Sequence, residues 1–330
     1  MSTTYAPSAR SRCPAPRLSA WCQFAILILP AMALADSPPG EPASPMVDIA
    51  SSARQSLRAS AEWLARGVDG WFGDHPFEDG GSVSDGVFQV RLLLRQQHAP
   101  RLGARFNASF RLPNIERRSA RLFVGRDDAR DLVTDQPQPL SREQRLQPPG
   151  SGQETFFAGL GVHAGAGFDA RLGLRGGIKP YAQLRYRHQW ELGPADRLHL
   201  RETVFWTRDD RVGSTTAVSY EHEVNPTLIG RWLHAATYTQ RSQRVEWSSN
   251  LGLYQFFGNQ RLLSTEALFR GREGGGVKVE EYGLQLSWEQ ALHEDWLLGQ
   301  VSLGHFRERE TAAEARRGLW ALGLTLTIRF

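Results

Sequence analysis

Gly318-Leu-Trp-Ala-Leu-Gly-Leu-Thr-Leu-Thr-Ile-Arg-Phe330 closes the chain and decides how the rest of it is read. Trp320, Leu322, Leu324, Leu326, Ile328 and Phe330 share one parity; Ala321, Gly323, Thr325, Thr327 and Arg329 share the other. A side-chain period of two over this length is a β-strand. One wholly apolar face backed by small or polar residues suits a barrel wall that separates lipid from water. A strand of a soluble sandwich alternates in the same way, but here the pattern recurs along most of the chain.

Working back from this stretch, the period of two reaches Gly86 and divides into fourteen strands. They are expected at 86–96, 103–112, 118–126, 154–164, 167–177, 181–192, 196–207, 214–223, 227–239, 243–256, 260–270, 277–290, 295–306 and 317–330. Alternation is clean in Phe88/Val90/Leu92/Leu94 and Tyr282/Leu284/Leu286/Trp288. It is weak in 196–207 and 227–239, where a bulge or a different strand boundary is expected. Short connections such as Gly193-Pro-Ala195 and Val224-Asn-Pro226 alternate with longer ones, chiefly Asp127–Gln153. That asymmetry predicts an antiparallel up-and-down barrel with short periplasmic turns and both termini on that side. Twelve strands is the alternative if 164–181 or 196–223 is divided differently. Trp190, Trp288, Trp296 and Trp320 fall near strand ends on the outward parity and suit interfacial girdles.

Upstream of the barrel the chain changes character. Trp21–Ala35 is apolar, follows Arg10, Arg12 and Arg17, and ends in Ala33-Leu34-Ala35. This is the pattern of a secretory signal peptide cut after Ala35. The expected organisation is therefore a signal peptide over 1–35, a periplasmic extension over 36–85 and an outer-membrane barrel over 86–330. Both cysteines, Cys13 and Cys22, fall inside the signal, which excludes disulfides and thiolate metal sites from the mature chain. Removing the three signal arginines takes Lys+Arg from 39 to 36 against 35 Asp+Glu, about +1. That near-neutrality, together with export, excludes nucleic acid as a partner.

In the extension, Ala50, Ala53, Leu57, Ala61, Leu64, Val68 and Trp71 recur at helical spacing, with Arg54, Arg58, Glu62 and Arg66 opposite. An amphipathic helix results, with Ser44 as cap and Pro45 in its first turn. Three placements are open to it: across the periplasmic mouth or in the lumen, against the membrane surface, or on a partner helix. Trp71–Asp74 and Glu78–Asp85 read as a linker into the barrel.

The inward parity of the first seven strands collects Arg91, Arg95, Arg105, Arg111, Arg121, Arg171, Arg175, Arg185, Arg187 and Arg201, with Asp169 and Glu191. The last seven collect Glu221, Glu223, Glu246, Glu266, Glu281 and Glu289, with Arg270 and Arg329. A basic wall facing an acidic wall sets a transverse field across the lumen, as in an ion-selective pore. Gly159, Gly161, Gly173, Gly283 and Gly304 are expected to leave room for water between them; the alternative is that the same charges pair across the lumen and fill it, leaving a scaffold with no pore.

Catalytic patterns are weak by comparison. Asp209-Asp210 and Asp127-Asp128 near one rim lack a convincingly placed histidine. In Glu221-His222-Glu223 the histidine points away from both neighbours by parity. His188 and His234 are expected to face lipid, without an identifiable serine at their depth to form a nucleophilic pair. No metal-ligand spacing is present, and neither a cofactor nor enzymatic activity is expected.

The signal peptide, the helix, the alternating strands and Phe330 together make the chain resemble proteobacterial outer-membrane β-barrels, including porin-like proteins without an assigned activity. The stretches Gly213–Glu221, Val245–Gln255 and Leu112–Arg117 are similar to segments of such proteins. The terminal Phe330 resembles the signal by which these proteins are recognised for assembly, which implies outer-membrane lipids and the barrel-assembly machinery as partners. A periplasmic partner of the helix is a further possibility. The function expected is passive diffusion of small, preferentially anionic solutes. A structural or adaptor barrel, or a hydrolase at the rim, is the alternative.

Overall fold

The computed structural model describes residues 45–69, 82–111, 120–134 and 154–330, apart from 177, 259, 275 and 310. The signal peptide, the Pro-rich spacer, the turn at Pro113–Arg117 and most of the long Asp127–Gln153 connection lie outside the described residues.

Helix α1 (Pro45–Asp69) is followed by β1 (Ser82–Arg95), β2 (Arg101–Arg111) and β3 (Ala120–Asp128). A short helix, α2 (Ala129–Thr134), then precedes β4 (Glu154–Gly165), β5 (Phe168–Arg175), β6 (Lys179–Glu191) and β7 (Asp196–Thr207). The remaining strands are β8 (Arg211–Asn225), β9 (Leu228–Thr239), β10 (Val245–Phe257), β11 (Arg261–Arg272), β12 (Val279–His293), β13 (Leu297–Glu308) and β14 (Arg317–Arg329). Every strand pairs antiparallel with its sequence neighbours, and β1 pairs with β14 to close a fourteen-strand barrel.

Parity separates the two faces of the wall. On β8, Gly213, Thr215, Ala217 and Ser219 are buried in the interior while Val212 is exposed. On β12, Gln285 and Ser287 are buried while Leu284 and Leu286 are exposed. The same division around the ring leaves an outer belt of exposed Leu, Val, Phe and Trp, which only lipid can cover favourably. Closure leaves no terminal edge strand, so the backbone of the wall pairs from strand to strand around the ring, as a membrane-spanning sheet requires.

Cross-strand rows do not run level. One passes from Trp190 on β6 through Tyr220 on β8 and Leu251 on β10 to Trp320 on β14. It starts beside the rim that bears the termini and short turns and ends near the opposite rim, the stagger expected of tilted strands.

Several details differ from the sequence expectation. β1 begins at Ser82, so the last residues assigned to the linker are already wall. The β7–β8 ladder is continuous from Asp196 to Thr207, without the expected bulge. The alternation of β7 is spoiled instead by Glu202, which stands on its outward face. Register shifts occur at Val83/Asp85, His163/Gly165, Glu223/Asn225, Arg270/Gly271 and Ala291/His293, close to strand ends.

Helix α1 neither plugs the mouth nor enters the lumen: it lies along the outside of the wall. Ala50, Ala53 and Leu57 pack on Trp296, Leu297, Ile328, Leu326 and Phe88. One turn on, Ala61 packs on Ala108, Phe110 and Leu122. The strand residues among these have the outward parity and lie toward the terminal side of β13, β14, β1, β2 and β3, while Trp296 sits in the turn just before β13. Arg54 Nε donates to the Arg329 carbonyl at 3.0 Å, and its guanidinium stands 5.0 Å from the Trp296 ring. Trp296 is consequently only 4% exposed, so it is a seat for the helix and not the girdle residue its position implied. Small residues along the contact stripe allow this close approach. Ile49 and Trp63, each 73% exposed, flank the stripe at interface height, where such side chains favour the lipid boundary.

Candidate functional site: the lumen

Interior side chains divide the lumen into a filled part and an open part. The filled part begins with α2, which folds inward from the long connection. Val133 is buried among Phe123, Phe157, Tyr181 and Phe205, four rings from β3, β4, β6 and β7, with Leu132 beside them. Gln183 Nε2 donates to the Val133 carbonyl at 2.8 Å and tethers the helix to the wall. Sequence periodicity could not reveal this, because six residues are too few to establish a helical pattern.

The rings also explain the interior glycines. A Cβ on Gly159 would stand 2.6 Å from Phe123 Cζ; one on Gly173, 2.8 Å from Tyr181 Cε1; one on Gly283, 2.5 Å from Phe306 Cδ1. These glycines are seats for aromatic rings that fold across the neighbouring strand, and they do not open space for water. Gly161 differs, since its nearest neighbours would be 3.6 Å away.

On the β10–β13 side, the inward Asn250, Tyr254, Glu266, Gln285, Glu289 and Ser302 are all buried. Tyr254 Oη donates to Glu266 at 2.5 Å, and Asn250 Nδ2 to the same oxygen at 3.3 Å. Leu93, Leu268, Phe306 and Ala321 form an apolar plug across β1, β11, β13 and β14. Next to it, Glu281, 1% exposed, accepts from Arg270 at 2.8 Å and from Arg95 at 3.4 Å, and Arg95 also meets Glu308 at 2.9 Å.

This cluster corrects the picture of two walls separated everywhere by water. Closure makes β1 the neighbour of β14, so Arg95 on the first strand reaches acids on β12 and β13. Other members of the basic set also have local partners. Arg175 lies 3.7 Å from Asp210 and 3.8 Å from Asp209 at the loop-side rim, and Arg187 pairs with Asp169. Arg171 stacks over Phe123 at 5.3 Å. Arg185 is buried, Arg91, Arg105 and Arg201 are half-buried, and Arg121 is exposed. Arg111 ends β2 opposite Ser82.

In the acidic set, Glu221 lies 3.3 Å from Arg231, Glu223 3.2 Å from Arg197, and Glu246 3.7 Å from Arg272. Arg231 and Arg197 are lumen cations that the sequence reading passed over. Both stand directly or diagonally opposite glutamates in the β7–β8–β9 register, a cross-strand signal invisible before pairing is known.

Among the described residues, the open part of the lumen lies along β6–β9. A cavity of about 550 Å³ is lined there by Arg187, Gln189, His199, Arg201, Ser219, Glu221 and Arg231, among others. Arg187 and Arg201 are direct cross-strand partners, so two guanidiniums project side by side into it. Like charges directly opposed are unfavourable unless water or a counter-ion separates them. An arginine cannot discharge itself by losing its proton.

At the loop-side rim the Asp209-Asp210 pair is engaged by cations. Lys179 Nζ donates to Asp209 at 3.0 Å and holds its carboxyl below the usual range; among the described residues no histidine bonds either aspartate. His222 Nδ1 meets Asp196 at 2.8 Å, with Tyr220 on the same carboxylate at 2.5 Å, at the outer edge of the opposite rim. Ser249 is the cross-strand partner of His234 on the lipid side, but its hydroxyl accepts from Trp232 Nε1 at 3.0 Å.

The closed ring, the apolar outer belt and the polar, arginine-bearing interior define the class: an up-and-down β-barrel of the bacterial outer membrane. No protein-family description matches the chain, and no curated protein matches it in sequence. Its similarities are to solved barrels. It is 12% identical, with TM-score 0.44, to a loop-deletion form of the outer-membrane protein OmpT of Vibrio cholerae, covering 76% of this chain and 100% of that one. OccK11 of Pseudomonas aeruginosa is 11% identical with TM-score 0.43, over 76% of this chain and 96% of that one. The KdgM porin is 4% identical with TM-score 0.36, over 74% and 99%.

Proposed function

We propose that the barrel is a narrow, passive outer-membrane channel for small solutes, with a preference for anions, and not an enzyme. The reading rests above all on the Arg187–Arg201 pair lining the lumen cavity. Arg231 across the cavity adds to the positive lining, against Glu221, and Arg185, buried one inward position from Arg187, adds its charge behind the lining, against Asp169. With α2 and the buried β10–β13 wall narrowing the rest of the lumen, solutes pass along the arginine side. In this reading the ten arginines and six glutamates act as lining and as internal pairs that hold the lining in place. Phe330 serves as the assembly signal read by the barrel-assembly machinery.

Reversal potentials in planar bilayers under a salt gradient test the proposal. The wild-type channel is expected to favour anions. The preference should fade toward 1 M salt, as the screening length falls from about 10 Å at 0.1 M to about 3 Å. Arg187→Glu combined with Arg201→Glu should abolish or reverse it. A cation-selective or non-conducting wild-type barrel would refute the reading.

A further inference from the structure

The outer wall carries isolated polar side chains, such as Thr265 on β11 and His305 on β13, but a mid-strand charge on one side only. Among the described residues, Glu202 is the only outward-facing carboxylate or cation more than three residues from an end of its strand. Its parity is that of the exposed Val204 and Trp206, while the intervening Thr203 and Phe205 are buried in the lumen. Thr216 Oγ1 on β8 donates to it at 2.5 Å. On β9, His234 also faces outward, between Val218 and Ser249 in the cross-strand register. The wall centred on β14–β1, half a circuit away, instead presents Leu322, Leu324, Leu326, Val90 and Leu92.

Placing a charged side chain at the lipid face costs up to a few kcal/mol at mid-membrane, less for acids than for bases. Such residues therefore mark contacts with something other than lipid. Lipid tails offer no hydrogen-bond partner, and soluble proteins do not reach this depth. The partner must itself span the membrane.

The geometry points to a second copy of this chain: we infer that β7, β8 and β9 form a self-complementary dimer interface. Glu202 is six residues from the Asp196 end of β7, and His234 six residues from the Leu228 end of β9. Both ends lie at the rim of the short turns. The upward stagger of the rows confirms the match in depth. Glu202 is in row with Thr216 and then Ala236, and His234 lies two residues below Ala236. Copies sharing one membrane orientation are related by an axis along the membrane normal. A two-fold axis of that kind beside β8 sets β7 of each copy against β9 of the other. Glu202 of one copy then meets His234 of the second at the same depth, twice per dimer. Thr216 and Val218 fall near the axis, and the small Ser214 and Ala236 permit close approach. Helix α1 covers the far side of the barrel and does not obstruct this face.

Cysteine cross-linking in native membranes tests the interface. In a Cys13→Ser, Cys22→Ser background, Thr216→Cys should be joined to its own copy by a short bis-maleimide. Leu324→Cys on the opposite wall should not. Adding Glu202→Leu should lower the dimerisation constant about tenfold, as expected for losing two membrane hydrogen bonds. His234→Leu should do the same and decides the matter if the Glu202 variant fails to reach the heat-modifiable folded form. Equal cross-linking at both positions, a Thr216→Cys product only with a different protein, or monomer alone would overturn the inference.

Discussion

Gly159 and Gly161 lie on the same strand and the same face, two residues apart, yet opposite responses to alanine are expected. A methyl group on Gly159 would enter the Phe123 ring, with Cζ at 2.6 Å, and press on the Leu172 carbonyl oxygen at 2.5 Å. The ring can swing, but it is one of the four that clasp Val133 of α2, so relief at 159 is transmitted to the lumen helix. The backbone oxygen can move only with β5. Overpacking of this kind costs about 1–3 kcal/mol. At Gly161 the nearest atoms would be at 3.6 Å, ordinary contact distance. Alanine there narrows only the unfolded chain and should stabilise by about 0.4–1 kcal/mol. The two variants should therefore differ by at least about 1.4 kcal/mol, or about tenfold in the folding equilibrium. Urea titration in phospholipid vesicles, followed by tryptophan fluorescence, measures the difference. Equal shifts, or a greater loss at Gly161, would refute the assignment of Gly159 as a ring seat.

Two further outcomes follow from the outer wall. Arg54→Ala removes the bond to the Arg329 carbonyl and the stacking on Trp296, and should destabilise the barrel by about 1–3 kcal/mol in the same titration. Single-channel conductance should not change, because α1 lies outside the lumen; larger conductance would place the helix in the permeation path. Deleting Phe330 removes a ring stacked on Phe106 at 5.9 Å and the bond from its amide to the Gly86 carbonyl at 3.0 Å. The loss should be about 1–3 kcal/mol, with less heat-modifiable protein in the outer membrane. Unaltered integration would show that the terminal residue carries neither closure nor targeting.

Strand number, the two faces of the wall and residence in the outer membrane were legible in the chain itself. Each strand must present alternate residues to lipid and to the interior, and that constraint acts locally, one strand at a time. Leu322, Leu324 and Leu326 declare the outer face whatever their neighbours are. The amphipathic character of α1 was equally plain, but its address was not. Its apolar stripe fits lumen, membrane or partner alike, and only the seat built by Trp296 with Leu297, Ile328, Phe88, Phe110 and Leu122 of five strands selects the outer wall. Gly159 and Gly161 look alike in sequence and differ only because Phe123 on the adjacent strand falls across one of them. Arg95 meets Glu281 and Glu308 because closure makes the first and last strands neighbours, a relation no linear division into halves contains. Glu202 and His234 share a depth because tilted strands stagger their rows. Parity belongs to a single strand, whereas depth, adjacency and closure are properties of the ring, and those were decided by the tertiary structure alone.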